Sequence, residues 1–83
     1  MFQVILANQA KRDLKRLDAV FKEKVIKNLK MLKENPFLGQ KMAGQFEGSY
    51  RIKIPPIRII YTPDIKNKII FVRAIGFRGG VYK

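Results

Sequence analysis

The stretch YRIKIPPIRIIY, residues 50–61, decides the fold of this chain. It contains one run rich in β-branched residues, at 50–54, and nearly all of a second, at 57–62, and the proline pair between them marks a turn. Successive side chains of a strand point to opposite faces of the sheet. Arg51 and Lys53 therefore share one face, and the apolar residues of their strand share the other. The stretch predicts a β-hairpin with one cationic and one apolar face.

Antiparallel pairing across the two prolines predicts the register of this hairpin. Lys53 then faces Arg58, and Arg51 lies diagonal to Arg58. The other face carries three apolar pairs: Tyr50 with Tyr61, Ile52 with Ile59, and Ile54 with Ile57. Opposed Cβ atoms are roughly 5 Å apart and diagonal ones roughly 7 Å, so three cations gather on one side. This grouping makes Arg51, Lys53 and Arg58 candidate phosphate ligands; the alternative is that their long side chains fan out into solvent.

The N-terminal part of the chain predicts a strand followed by helices. Residues 2–6 form a short β-like run, after which apolar residues recur at helical spacing. Asn8 is expected to cap a first helix and Asp18 a second, which gives a helical hairpin or, alternatively, one bent helix. The helical stretch ends at Asn35-Pro36, because the residue before a proline is pushed out of the α region.

The remaining segments complete the fold class. Residues 37–49 are rich in glycine and without clear periodicity, so they are expected to be loop. A third strand over residues 68–75 contains the run IIFV, residues 69–72, which is typical of a central strand covered on both faces. The order β-α-α-β-β-β predicts a single α+β domain over residues 1–83. Its helices should pack on one face of a small, mainly antiparallel sheet.

Composition limits the chemistry of the chain. Eighteen Lys and Arg against six Asp and Glu give a net charge of +12. This charge favours an anionic partner, with nucleic acid first, then an acidic protein, then an anionic membrane surface. Half of the cations lie in the helical stretch, where a solvated helix face is the ordinary explanation. With no Cys and no His, disulfides, thiolate zinc sites and histidine-dependent catalysis are excluded.

Other absences in the sequence lead to further expectations. The six carboxylates are scattered and form no spaced pair, so neither a metal nor another cofactor is expected. An apolar run long enough to span a bilayer is missing, and so is a signal-peptide pattern. We therefore expect a cytoplasmic protein that does not engage a membrane.

The tail GFRGGVYK, residues 76–83, adds two candidate site residues. By simple alternation along the third strand, Arg78 falls on the same side as Ile70 and Val72. Tyr82 offers a phenol after two glycines, which permit a close approach of the backbone to a ligand. The alternative is a frayed terminus with no role in a site.

In their order and spacing, the motifs YRIK at 50–53, RIIY at 58–61 and GFR running to Tyr82 resemble the RelE/ParE superfamily. Its members are the toxins of type II toxin–antitoxin systems, and the likeness covers nearly the whole chain. A RelE-type member would be an endoribonuclease that cleaves mRNA in the ribosomal A site. The resemblance implies the functional residues Arg51, Lys53, Arg58, Arg78 and Tyr82. It also implies a cognate antitoxin, for which we expect an acidic, partly disordered segment.

Without histidine, cleavage by the RNA's own 2′-hydroxyl would rest on other groups. Arg58 and Arg78 suit the stabilisation of charge on the phosphorane. Like charge around Lys53 favours loss of its proton, which makes it a candidate general base. Tyr82 could serve as base or stack on a nucleotide, and Arg78 is a candidate acid. Two alternatives to this metal-independent nuclease are a ParE-like inhibitor of DNA gyrase and a non-catalytic module that binds nucleic acid or protein.

Overall fold

The computed structural model describes residues 1–44 and 47–77. In that part of the chain seven elements follow one another: β1 (Gln3–Leu6), α1 (Asn8–Lys15), α2 (Ala19–Glu34), β2 (Gln40–Lys41), β3 (Tyr50–Ile54), β4 (Ile57–Asp64) and β5 (Ile69–Phe77). The strands form a five-stranded sheet in the order β1-β5-β4-β3-β2. β1 pairs parallel with β5, and the other neighbours pair antiparallel. The predicted α+β class is confirmed.

The helical stretch consists of two helices rather than one bent helix. The expected N-cap at Asn8 is wrong, because α1 already begins there and Ala7 is its N-cap. The reason is that Ala7 still donates its backbone N–H to the Val72 carbonyl oxygen of β5, at 2.8 Å. The chain therefore stays paired with β5 through Ala7, and the helix begins at the next residue. Asp18 is the N-cap of α2 as expected, although its side chain makes no capping hydrogen bond. The predicted helix end is confirmed, since α2 stops at Glu34.

The core lies between the two helices and one face of the sheet. Ala10, Val25 and Leu32 from the helices are fully buried there. The sheet contributes a row of buried residues from three strands: Ile52, Ile57, Ile59, Tyr61, Ile70, Val72 and Ile75. Each fully buried aliphatic side chain of this kind stabilises a fold by about 1.5–3 kcal/mol, so this face sets the register of the strands.

The hairpin of β3 and β4 has the predicted register. Lys53 pairs with Arg58, and the three apolar pairs lie opposite each other as expected. The turn contains a cis peptide bond between Pro55 and Pro56. The segment expected to be loop also holds β2, whose Gln40 pairs with Arg51.

A glycine makes the pairing of β2 with β3 possible. A Cβ atom added at Gly39 would lie 2.5 Å from the carbonyl oxygen of Arg51 and 2.9 Å from its carbonyl carbon. Contacts this short with a backbone do not occur without a shift of one of the two segments. Gly39 is therefore required for the close approach of the loop to β3.

β5 is an interior strand of the sheet, but the two helices cover only one of its faces. Ile70 and Val72 are fully buried against the helices, whereas Phe71 is 37% exposed on the other face. The predicted cover on both faces is therefore wrong, because both helices lie on the same side of the sheet. The guanidinium of Arg73 lies 5.8 Å from the centre of the Phe71 ring, within the range of a cation–π contact.

A β-bulge interrupts the alternation of β5. Ile60 pairs with Ala74 while Tyr61 pairs with Val72, so β5 has one more residue than β4 at this point, namely Arg73. Beyond the bulge, Ile75 is the buried residue. The simple alternation that grouped Arg78 with Ile70 and Val72 therefore fails as an argument, and Arg78 itself lies outside the described residues.

A carboxylate of α1 holds the strand just after the bulge. Asp13 accepts a hydrogen bond from the Ile75 N–H at 3.0 Å through Oδ2 and one from the Gln9 side-chain amide at 2.8 Å through Oδ1. The contact joins positions 62 residues apart in the chain.

No helix within residues 1–44 and 47–77 has the length and apolarity to cross a membrane.

Candidate functional site

The face of the sheet that the helices leave uncovered, here called the open face, carries a group of cations. Lys53 on β3 lies directly opposite Arg58 on β4. Arg51 lies two residues before Lys53 on the same strand and so points to the same side. Lys53 is exposed, and both arginines are half-buried. Three of the five predicted site residues are therefore neighbours on one surface.

Small and apolar residues surround these cations. Gly76 of β5 pairs with Arg58, so the next strand contributes no side chain at that position. Ile60 lies between Arg51 and Ala74 in the register and is only 3% exposed, which gives the open face an apolar floor. Attraction between a cation and an anion is stronger beside such a floor than in bulk water, because the local dielectric constant is lower.

Two clefts adjoin the cationic group, and Lys53 lines both. The first, here called the tip cleft, has a volume of about 280 Å³ and lies at the hairpin turn. Its walls are Lys53, Pro55, Pro56, Ile57 and Arg58. The second, here called the edge cleft, has a volume of about 270 Å³. Its walls are Leu38, Gly39, Gln40, Arg51, Ile52 and Lys53.

A buried tyrosine positions the wall of the edge cleft. The hydroxyl of Tyr61 accepts a hydrogen bond from the Gly39 N–H at 2.9 Å, and its ring stacks on Tyr50 at 5.7 Å between centres. Burial raises the pKa of the Tyr61 phenol above its ordinary value, and the hydrogen bond from Gly39 offsets this in part. The phenol therefore stays protonated and serves as an anchor.

A second polar contact fixes the start of β3. The hydroxyls of Ser49 and Thr62 lie 2.9 Å apart in a hydrogen bond, and Ser49 is only 7% exposed. Together with the Tyr61 anchor, this contact links the glycine-containing loop to β4. Neither link follows from the sequence pattern, because each joins a loop residue to a strand residue far along the chain.

Two of the predicted site residues, Arg78 and Tyr82, lie outside the described residues. The structure adds a cation that the sequence analysis missed, since Arg73 lies over Phe71 on the open face. The alternation along β5 contained a signal for it, because Phe71 and Arg73 both fall on the face opposite Ile70 and Val72. The signal was passed over because that face was expected to be covered. Within the described ranges, no three metal-binding side chains come together.

Comparisons with known proteins agree on the class of protein. A family model described as the ParE toxin of the type II toxin–antitoxin system parDE matches residues 4–82. No curated protein matches the sequence at a significant level.

Several solved structures share the fold. A chain of the RelBE2 toxin–antitoxin complex from Mycobacterium tuberculosis superposes with a TM-score of 0.84 at 19% identity, covering 93% of this chain and 98% of that one. For the isolated RelE toxin of Escherichia coli the TM-score is 0.83 at 21% identity, with 93% and 84% covered. For the YoeB/ParE toxin of Agrobacterium tumefaciens it is 0.82 at 19% identity, with 93% and 99% covered.

Proposed function

The chain belongs to the ParE toxin family of type II toxin–antitoxin systems, within the RelE/ParE superfamily. From the cations of its open face we propose that it is a ribosome-dependent endoribonuclease. The substrate is mRNA in the ribosomal A site. The observation that carries the proposal is the Lys53–Arg58 pair with Arg51 beside it on the open face. A gyrase inhibitor that acts by binding has no need of this grouping.

The proposed reaction breaks one phosphodiester bond and needs no water in its first step. The 2′-oxygen attacks the adjacent phosphorus, and the bond to the 5′-oxygen of the next nucleotide breaks. Lys53, as the proposed general base, takes the proton of the 2′-hydroxyl, and a second proton goes to the leaving 5′-oxygen. The products are a 2′,3′-cyclic phosphate and a 5′-hydroxyl end.

In this proposal the arginines stabilise negative charge on the phosphates. A guanidinium keeps its charge at every relevant pH and matches two phosphate oxygens at once. Arg58 stabilises the extra negative charge of the phosphorane, and Arg51 holds a neighbouring phosphate. Arg78 shares the charge stabilisation. It is also the proposed proton donor, because the leaving alkoxide, unlike water, is a stronger base than a neutral guanidine. Tyr82 orients the nucleotide by stacking.

The ribosome supplies what the side chains lack. In a chain without histidine, no group has an ordinary pKa near 7 for proton transfer. Holding the scissile linkage in a reactive geometry lowers the activation free energy, by about 7–11 kcal/mol in well-oriented cases. We therefore expect slow cleavage of free RNA and fast cleavage of mRNA on the ribosome.

An antitoxin is the expected protein partner, since this toxin class is paired with one. The similar structures include toxin–antitoxin complexes, RelBE2 of M. tuberculosis and RelBE of E. coli. For this chain we propose an antitoxin segment of acidic character, because it must neutralise a protein of net charge +12. A segment that folds on binding can cover a large surface of the toxin.

The test is cleavage of a defined mRNA in a purified translation system, with all ends mapped. We expect cuts in phase with the codons and 2′,3′-cyclic phosphate ends. Arg58→Ala should reduce the rate by about 10²–10³-fold, as removal of a single charge-stabilising donor does. Lys24→Ala removes an equal charge from the helix side and should leave the rate unchanged. Intact mRNA with the unmodified protein contradicts the proposal.

One observation favours a second candidate function, inhibition of DNA gyrase. The matching family model is that of the ParE toxin, and it spans residues 4–82. A supercoiling assay with purified gyrase separates the two functions. Loss of gyrase activity together with intact mRNA supports the second, and then Arg58→Ala has no reason to abolish toxicity.

A further inference from the structure

The two clefts beside Lys53 differ in the chemistry of their walls. The tip cleft is formed by the rings of Pro55 and Pro56 and by Ile57, with the two cations Lys53 and Arg58 at its side. Both prolines are exposed. Among the residues that the structure describes, those lining this cleft carry no side-chain amide or hydroxyl. The cleft can hold the flat, apolar face of a nucleobase.

The edge cleft contains a group that can read a base. Gln40 is exposed and pairs with Arg51, so its side chain lies on the open face with the cations. A glutamine amide has two donor hydrogens and one acceptor, and it pairs with the edge of a base in two hydrogen bonds. Leu38, which is 37% exposed, gives the same cleft an apolar contact.

The dimensions of the clefts suit single nucleotides. Each volume lies just below the range of about 300–1,000 Å³ that is typical of sites for drug-sized ligands. Arg51 and Lys53 are two residues apart on a strand, so their Cα atoms are about 6.6 Å apart. Sequence-specific recognition of RNA uses unpaired bases that turn outwards from the strand into such pockets.

We propose that single-stranded RNA runs along β3 with one phosphate at Lys53 and the two adjoining bases in the two clefts. The edge cleft selects its base through Gln40, and the tip cleft holds its base against the proline rings. This inference rests on the proposed function and names the specificity of that same site. It gives the proline pair at the hairpin turn a role in holding substrate.

The first test measures base preference with Gln40→Ala in the translation system, on mRNAs that differ at a single codon. Loss of a two-hydrogen-bond contact to a base should remove about tenfold discrimination at one position beside the cut. The rate on the preferred base should fall by about the same factor, and the rates on the other bases should change little, because the cations remain. Gln3→Ala is the matched control, an exposed glutamine on the far edge strand of the same sheet. Unchanged preference in Gln40→Ala overturns the inference.

The second test needs no substitution at the turn and so avoids variants that do not fold. An mRNA carries 4-thiouridine on either side of the scissile phosphate and lacks the attacking 2′-hydroxyl, which prevents cleavage. After irradiation and trypsin digestion, the two clefts correspond to separate peptides, residues 34–41 and 54–58. We expect each 4-thiouridine to cross-link to one of these two. Cross-links only to the helical peptides contradict the inference.

The two tests separate this inference from the proposed function. If the unmodified protein cuts no mRNA, the proposed function fails, and the cross-linking test on the same RNA still decides whether bases occupy the clefts. If the protein cuts mRNA but neither test gives the expected result, the proposed function stands and the base subsites are wrong.

Discussion

The two faces of the β3–β4 hairpin serve different purposes, one for packing and one for the candidate site, although their residues alternate along each strand. Ile59 is fully buried against the helices, and its neighbour Arg58 lies on the open face. Burial of the apolar face sets the register, since a slip by one residue would expose every residue of that face. The same register brings Lys53 opposite Arg58. Burial of the apolar face therefore holds the cations together despite their mutual repulsion. Stability and activity can then be altered separately at adjacent positions.

The strongest test of this separation compares Ile59→Ala with Arg58→Ala. Ile59→Ala leaves a cavity in the core and should lower the free energy of unfolding by about 2–5 kcal/mol. Arg58→Ala trims a half-buried side chain on the open face and leaves no cavity in the core, so it should lower the free energy of unfolding by clearly less, about 1 kcal/mol, while cleavage is lost. Urea unfolding and the mRNA assay together measure both quantities. Equal loss of stability in the two variants contradicts the separation.

A smaller effect is expected at the link between α1 and the bulge. Asp13→Ala leaves the Ile75 N–H without its partner and should destabilise the fold by about 1–3 kcal/mol. Asp13→Asn keeps an acceptor oxygen and should recover most of this loss. The measurement is urea unfolding of the three proteins. Full stability of Asp13→Ala would mean that the strand after the bulge does not depend on this bond.

The Tyr61 anchor predicts a dependence on alkaline pH. Burial raises the pKa of this phenol in the fold, whereas the unfolded phenol ionises near its ordinary value of about 10. The unfolded state therefore loses its proton first, and the contribution of Tyr61 to stability is lost as pH rises from about 10 through the folded pKa. Tyr61→Phe removes the hydrogen bond with Gly39, at a cost of about 1 kcal/mol at neutral pH.

Comparing the unmodified protein with Tyr61→Phe above and below pH 10 isolates the contribution of Tyr61 to stability. The free energy of unfolding of the unmodified protein should fall more steeply with pH than that of Tyr61→Phe. Parallel curves would contradict the raised pKa of the phenol.

The smallest expected effect lies at the turn between β4 and β5, far from the cations. The side-chain amide and the backbone N–H of Asn67 donate hydrogen bonds to Asp64, which lowers the pKa of that carboxyl. The stabilising effect of the ionised Asp64 carboxylate is present above the ordinary carboxyl pKa. It is lost as pH falls through the lowered pKa of Asp64. Asn67→Ala should raise the Asp64 pKa, as measured by NMR titration. Activity at neutral pH should not change.

Local patterns in the chain predicted the part of the fold that contains most of the candidate site. Alternation gave β3 its bounds, and the proline pair gave the turn, so the opposition of Lys53 and Arg58 followed without tertiary information. The helix end before Pro36 was equally local. The segment holding β2 could not be predicted, because two residues in a glycine-containing loop carry no periodicity. Their pairing depends on Gly39 and on the distant Tyr61 hydroxyl.

What the sequence alone determined is the hairpin, its register and its two chemically distinct faces, since covalent geometry alternates side chains along any strand. Only the tertiary structure decided that β1 lies beside β5, that both helices pack on the same face of the sheet, and that Arg73 is the extra residue of a bulge. The physical reason is that these features arise between segments distant in the chain. Their hydrogen bonds and packing form only after the strands have met.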